Sequence, residues 1–252
     1  MPWRIEDPQG FVVSTECRKA AEDNGFRLKE GERDGWVQFR STTVPGRIWL
    51  AGAGDHGPWY VALDHAGVAR ELGWRQHEGC PGMACERFET TAELHQAVSR
   101  IYDLARSLPE HPLEEFRKCT RDLPQRTEAE RTVIQRVGQD VFRDALMRYW
   151  QGRCPLTGIS DAPLLRASHI RPWKDCETDA QRLDVFNGLL LSSLWDAAFD
   201  AGLVTFDDTG EPLFSSHLTD AARQALQWQQ PLPLRDEHRQ YLTWHQQHVF
   251  RQ

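Results

Sequence analysis

The first part of the chain alternates short apolar runs with residues that favour turns. Three runs rich in aromatic and β-branched residues are separated by Gly, Pro and Asp, and we predict them to be strands: residues 36–40, 47–51 and 59–63. A helix over residues 14–24 precedes them, and a second helix over residues 91–108 follows them and is ended by Pro109. These elements predict a small antiparallel sheet with flanking helices.

The rest of the chain has mainly helical periodicity. We predict a long helix over residues 127–150, strands near residues 154–157 and at 164–170, and a short helix at 193–201. A hairpin is expected around the turn Asp207-Asp208-Thr209-Gly210, followed by two closing helices at residues 219–229 and 236–250. The segment between the helix predicted over residues 91–108 and the one predicted over residues 127–150 contains three prolines and many charged residues, which is typical of a linker.

We therefore predict an α+β protein with two domains joined by a linker. The domains are assigned to residues 1–110 and 127–252, and the linker to residues 111–126. A chain of 252 residues can bury two modest cores, which agrees with this division.

Composition excludes several classes of protein. The net charge of −7 argues against a chain that coats nucleic acid without selection. The six cysteines form no Cys-x-x-Cys pair, so no structural zinc is expected. No apolar run is long enough to span a membrane, and the first residues lack the apolar core of a signal peptide. We expect a cytoplasmic protein with no membrane partner.

One constellation of residues carries candidate chemistry, and it reads Ser168-His169-Ile170, Asn187-Gly188-Leu189-Leu190-Leu191-Ser192 and Asp196-Ala197-Ala198-Phe199-Asp200. His169 can act as a base toward a water molecule. Asp196 and Asp200 are four residues apart, so on a helix their carboxylates share one face and can share one hard cation. Asn187 falls where a loop should join strand to helix, and its amide can hold that loop by hydrogen bonds to the backbone. Each residue taken alone is more often structural, but their order and spacing together indicate a site.

These residues resemble the HNH endonucleases, the ββα-metal nucleases, from residue 127 to about residue 216. The resemblance implies a ββα-metal domain that hydrolyses phosphodiester bonds in DNA, with His169 as general base and Asn187 as the central Asn of the motif. It also implies that Asp196 and Asp200 are metal ligands. Ser168 stands where the family usually has an Asp or His ligand, so it is expected to be a weak or water-mediated ligand. This oxygen donor set suits one Mg²⁺ or Mn²⁺ per site.

Basic residues near the motif are candidates for contact with DNA, although each of them can also be an ordinary solvated surface residue. The candidates nearest in sequence are Arg143, Arg153, Arg166, Arg171 and Lys174. Cleavage of both DNA strands would favour a homodimer.

The first domain resembles no family that we can identify from its residues. Four of its aromatic residues either line a pocket for a flipped or modified base or form the core of a small domain: Trp36, Trp49, Trp59 and Tyr60. The sequence therefore supports two hypotheses. The first is a DNA endonuclease of a restriction or defence system, in which the N-terminal domain selects the substrate. The second, suggested by Ser168, is a DNA-binding or sensing protein that keeps the nuclease scaffold but cleaves weakly or not at all.

Overall fold

The computed structural model describes Trp3 and residues 5–124 and 127–252 of the chain. The last two residues of the predicted linker, Gln125 and Arg126, lie outside the described residues. The chain divides into two compact units, Met1–Arg106 and Ser107–Gln252. The architecture is α+β, as predicted, with an antiparallel sheet and helices in the first unit.

The first unit is built on a five-stranded antiparallel sheet with its strands in sequential order. The strands are β1 (Leu28–Arg33), β2 (Trp36–Arg40), β3 (Arg47–Gly52), β4 (Trp59–Leu63) and β5 (Ala84–Phe88). The helices are α1 (Phe11–Asp23), α2 (Ala66–Leu72) and α3 (Thr91–Ser107). The three predicted strands are present as β2 to β4. The sequence did not indicate β1, because all six of its residues are exposed and it has no apolar alternation.

Both faces of this sheet are covered, so its apolar side chains are buried in two layers. On one face, helix α1 packs against β2 and β3. On the other face, Trp36, Tyr60 and Cys85 form a buried cluster against which Trp3 and Ile5 pack. Adjacent residues of a strand point to opposite faces, so a strand covered on both sides is buried along its whole length, as β4 is.

The second unit begins with α4 (Glu110–Thr120) and α5 (Glu128–Tyr149), which pack against each other. Helix α4 corrects the prediction of a linker over residues 111–126. Its side chains Pro112 and Phe116 are buried, and a proline is tolerated in the first turn of a helix, where its missing N–H would have no partner inside the helix. The prolines of this stretch therefore do not prevent a helix. Helix α5 begins with a capping box between Thr127 and Glu130.

Two antiparallel strands and a helix follow, in the ββα order that the resemblance implies. They are β6 (Leu165–His169), β7 (Gly188–Ser192) and α7 (Ser193–Asp200). Strand β7 falls on the Leu-rich run that we had placed in a loop, and all of its residues are buried. Residues 154–157, where we had predicted a strand, form a turn in which the amide of Gly158 donates to the carbonyl of Cys154 at 2.9 Å.

The remaining elements are a short helix between β6 and β7, a hairpin and two C-terminal helices. They are α6 (Asp179–Arg182), β8 (Val204–Phe206), β9 (Pro212–Phe214), α8 (Asp220–Ala225) and α9 (Asp236–His248). The hairpin and both closing helices agree with the sequence prediction, and α9 packs against β8. Within residues 5–124 and 127–252, no helix has both the length and the apolar character needed to cross a membrane.

Candidate active site

His169 ends strand β6 and lines a pocket of about 330 Å³ together with Ser168, Trp173 and Asp200. In the β6–β7 pair, His169 lies opposite Gly188. Gly188 lies close to α5, because a Cβ at this position would be 2.5 Å from the ring of Phe142. The imidazole stacks on that same ring, with centroids 3.8 Å apart and an interplanar angle of 14°. Strand register and ring packing therefore leave the imidazole little freedom to turn.

The hydrogen bonding of His169 identifies which ring nitrogen is free to act. Nε2 lies 2.9 Å from the carbonyl oxygen of Arg182. A carbonyl can only accept a hydrogen bond, so Nε2 carries the hydrogen and Nδ1 carries the lone pair of the neutral ring. Burial lowers the pKa of His169 to about 4, and the hydrogen bond to Arg182 opposes this effect only in part. The imidazole is therefore neutral at pH 7 and can accept a proton at Nδ1.

Asn187 is completely buried, and its side chain forms hydrogen bonds with the segment that joins β6 to β7. Its Oδ1 accepts from the amide of Arg171 at 2.8 Å, and its Nδ2 donates to the carbonyls of Arg171 and Gln181 at 3.1 and 3.0 Å. The carbonyl of the next residue, Arg182, accepts from His169. Asn187 is thus two hydrogen bonds away from the imidazole, and it lies immediately before β7 and not in a loop between strand and helix.

Asp196 and Asp200 lie on successive turns of α7. The hydroxyl of Ser168, which is buried, donates to Oδ1 of Asp196. Asp200 lines the pocket beside His169. Burial and the negative charge of Asp196 together raise the pKa of Asp200 to about 6. Two carboxylates that repel each other beside a pocket form an arrangement that a bound cation would stabilise.

The donor set fits a hard divalent cation bound partly by water. Asp200 and Ser168 line the pocket, whereas the predicted ligand Asp196 does not line it and is joined to it through its hydrogen bond with Ser168. Mg²⁺ commonly binds through one or two carboxylates and completes its shell with water. In the part of the chain that the structure describes, no group of three His, Cys, Asp or Glu side chains is arranged to hold a metal. The site therefore offers fewer protein ligands than a closed metal site does.

A family model described as HNH endonuclease matches residues 154–207. The C-terminal half of the chain contains an HNH endonuclease domain. The matched segment includes β6, β7 and α7, and so it includes His169, Asn187 and both aspartates. A comparison with curated proteins finds no match to the chain.

Three arginines of the second unit that the sequence suggested as DNA contacts donate hydrogen bonds to backbone carbonyls of the same unit. Arg143 and Arg166 both donate to the carbonyl of Leu165 at 3.0 Å, and Arg153 donates to the carbonyl of Gly158 at 2.7 Å. These hydrogen bonds occupy part of each guanidinium group. The three side chains thus stabilise the backbone that leads into β6, whatever contact they make with DNA.

Arg166, Arg171 and Lys174 are each a neighbour in sequence of a residue that lines the pocket, namely Ala167, Pro172 and Trp173. Arg166 holds the backbone at the start of β6, whereas Arg171 and Lys174 follow that strand. Lys174 is exposed. The guanidinium of Arg171 lies 3.0 Å from the carboxylate of Glu177, and its Nε is buried with no hydrogen-bond partner among the described residues.

The structure also places a residue at the pocket that the sequence analysis missed. His245 of α9 lines the pocket with Asp200 and is 1% exposed. It follows Tyr241 by four residues on the buried face of α9. Helical spacing could have placed His245 on a buried face, but nothing in the sequence connects that face to the HNH motif.

The first unit lies outside the matched segment and has a pocket of its own, of about 600 Å³. Trp36, Trp49 and Gln38 line it, and Nε1 of Trp49 donates to Oε1 of Gln38 at 3.1 Å. Trp59 and Tyr60 do not line this pocket. They are 1% and 3% exposed within the sheet core, because the sheet is covered on both faces. Of the four predicted aromatic residues, Trp36 is 4% exposed and belongs to the buried cluster although it lines the pocket, so only Trp49 lines it outside the core.

Proposed function

We propose that this protein is a metal-dependent DNA endonuclease whose HNH domain hydrolyses phosphodiester bonds. The observation that carries the proposal is the state of His169. Its imidazole is neutral, its Nε2 hydrogen is used by the Arg182 carbonyl, and it lines the same pocket as Asp200. A fixed acceptor nitrogen in the same pocket as a carboxylate is an arrangement that suits general-base hydrolysis of a phosphodiester.

In this mechanism, His169 is the general base. Its Nδ1 accepts a proton from the water that attacks phosphorus, while the bond from Nε2 to the Arg182 carbonyl holds the ring in place. A phosphodiester in the pocket brings negative charge near the imidazole, which raises its pKa toward the range suited to proton transfer. Asn187 is a positioning residue in this scheme, because it is buried and acts on the imidazole only through the backbone.

Asp196 and Asp200 would hold one Mg²⁺ or Mn²⁺, with Ser168 reaching the ion through water or by orienting Asp196. When bound, such an ion supplies electrostatic stabilisation of the charge that develops on the phosphoryl and leaving oxygens. We propose that Lys174 and Arg171, which adjoin residues that line the pocket, contact DNA phosphates.

We further propose that the first unit selects the substrate. The pocket lined by Trp36 and Trp49 supports this role, because the partly buried indole of Trp49 can stack on a base and Gln38 can hydrogen-bond to its edge. Choice of a modified base would suit a restriction or defence enzyme that works in the cytoplasm, as a homodimer if both strands are cut.

One observation favours a second function, that of a DNA-binding or sensing protein without efficient cleavage. Ser168 replaces a usual metal ligand, and the described residues contain no cluster of three potential ligands. A scaffold of this kind can keep its fold after losing its chemistry.

A plasmid assay separates the two functions. The full chain is incubated with supercoiled plasmid and Mg²⁺, Mn²⁺ or EDTA, beside the His169→Ala variant. Nicking that requires the ion and is lost in the variant supports the endonuclease. DNA binding without cleavage under any of these conditions supports the second function.

A further inference from the structure

Helix α9 lies outside the segment that matches the HNH model, yet it forms part of the wall of the active-site pocket. Its residue His245, and Val249 directly after the helix, line the pocket together with His169 and Asp200. The pocket is therefore completed by residues that are about fifty positions beyond the motif in sequence. The contacts of His245 indicate what this helix contributes.

His245 is attached to the last turn of α7. Its imidazole lies parallel to the ring of Phe199, with centroids 4.0 Å apart and an interplanar angle of 2°. Its Nε2 lies 3.2 Å from the carbonyl oxygen of Phe199, the residue directly before Asp200. The same carbonyl also accepts from the amide of Gly202 at 2.9 Å, just beyond the end of the helix. His245 therefore adds a second, side-chain donor to the turn that carries Asp200.

Thr205 fixes the other side of the His245 ring. Its hydroxyl oxygen lies 3.1 Å from Nδ1 of His245, and both side chains are buried. Because Nε2 donates to a carbonyl, the neutral ring accepts at Nδ1, and the hydroxyl of Thr205 donates to it. Burial lowers the pKa of His245 to about 4, which agrees with a neutral ring. The orientation of the imidazole is thus set by two hydrogen bonds and one ring stack.

The backbone attaches the same turn to the end of α9. Gly202, which follows α7, has φ of +68°, and a Cβ there would be 2.1 Å from the carbonyl oxygen of Val249. The amide of Arg251 donates to the carbonyl of Gly202 at 2.9 Å. Only glycine allows this close approach. The C-terminal end of α7 is therefore held by the side chain of His245 on α9 and by the backbone of the residues that follow α9.

We infer that His245 and Thr205 are positioning residues that hold the last turn of α7 and so direct the carboxylate of Asp200 into the pocket. Helix α9 is then part of the active site and not only a cover for the core. This inference rests on the proposed function, because the role of Asp200 as a ligand is itself proposed. It extends that function to two residues that act on Asp200 through the backbone of α7.

The decisive test removes one hydroxyl. Thr205→Val keeps the size of the side chain and loses the donor to His245, whereas Thr205→Ser keeps the donor and loses a methyl group. Calorimetric titration with Mn²⁺ is expected to show about 10-fold weaker binding for Thr205→Val and near-normal binding for Thr205→Ser, as is typical when a partner behind a metal ligand is lost. Plasmid nicking should show a lower kcat for Thr205→Val with KM unchanged.

Variants of the two buried histidines of α9 provide the control. His245→Gln keeps an N–H that can reach the Phe199 carbonyl, so it should bind Mn²⁺ more tightly than His245→Ala. His238 is also fully buried in α9 but lies near Tyr149 and Phe186, and it does not line the pocket. His238→Gln should lower the melting temperature without changing Mn²⁺ affinity.

The outcomes distinguish this inference from the proposed function. If the wild type cuts DNA and Thr205→Val equals it in Mn²⁺ affinity and kcat, the inference is overturned and the nuclease proposal stands. If His238→Gln weakens Mn²⁺ binding as much as Thr205→Val does, the effect is a general loosening of α9, and the inference is likewise overturned. A wild type that neither binds Mn²⁺ nor cuts DNA overturns both.

Discussion

Nε2 of His169 donates a hydrogen bond to the carbonyl oxygen of Arg182, 2.9 Å away. This contact joins the end of β6 to the segment that precedes β7, and it decides which nitrogen of the imidazole remains free. A backbone carbonyl does not titrate, so the tautomer it selects is kept over the whole pH range in which the ring is neutral. The proposed chemistry of the HNH domain depends on this orientation.

Replacement of His169 by Ala is expected to lower the rate of DNA cleavage by about 10²–10⁴-fold, the usual contribution of a general base. DNA affinity should change little, because the imidazole acts on water and not on the DNA. The rate is measured by plasmid nicking and the affinity by fluorescence anisotropy. A variant that cuts at the wild-type rate would remove His169 from the mechanism.

Loss of either aspartate of α7 should weaken metal binding. Asp196→Ala and Asp200→Ala are each expected to abolish nicking and to reduce Mn²⁺ affinity in calorimetric titration, since each removes a charged oxygen ligand. Ser168→Ala should have a milder effect, and Ser168→Asp should raise Mn²⁺ affinity if the site lacks a third ligand. Asp208→Ala, which changes an exposed aspartate outside α7, is the control. Normal Mn²⁺ affinity in both α7 variants would contradict the assignment.

Asn187→Ala should affect stability and catalysis together. It leaves backbone groups of Arg171 and Gln181 without their partner in a buried site, and each such group costs about 1–3 kcal/mol of unfolding free energy. Because the Gln181 carbonyl is then no longer held, the adjoining Arg182 carbonyl that binds His169 is positioned less firmly, so kcat should fall while KM is kept. Urea unfolding and steady-state kinetics measure the two effects. A stable variant with normal kcat would show that Asn187 does not position the base.

Lys174→Ala is expected to weaken DNA binding to a similar degree for all sequences. If Lys174 contacts a phosphate, the slope of log K against log salt should decrease by about one. Lys118→Ala is the matched control, because Lys118 is an exposed lysine of the same unit on α4. An equal change of slope in the two variants would indicate general electrostatic attraction instead of a contact at the pocket.

Trp49→Ala tests the proposed role of the first unit in the full chain. It should reduce the preference for modified over unmodified DNA of the same sequence, because it removes a stacking surface from the pocket. Nicking of unmodified DNA should stay at the wild-type rate. Trp74→Ala, which changes a tryptophan of the same unit outside the pocket, should leave the preference intact. An unchanged preference in Trp49→Ala would indicate that this pocket does not select the substrate.

The elements that could be predicted from the sequence are those whose pattern is local. Alternating apolar residues indicated β2, β3 and β4, and helical spacing indicated that Asp196 and Asp200 share a face of α7. The HNH motif was evident because His169 and the two aspartates occur in a fixed order, and the family match covers them. Local spacing suffices for such features, since the geometry of a helix or strand converts it directly into side-chain direction.

The tertiary structure decided the features that depend on distant or backbone partners. The tautomer of His169 depends on the Arg182 carbonyl, and a backbone acceptor has no signature in residue type. Helix α4 forms in a proline-rich stretch because its apolar side packs on α5. His245 reaches the pocket because α9 packs against the end of α7. Composition and periodicity carry no information about which buried faces will meet, because that depends on how the whole chain packs.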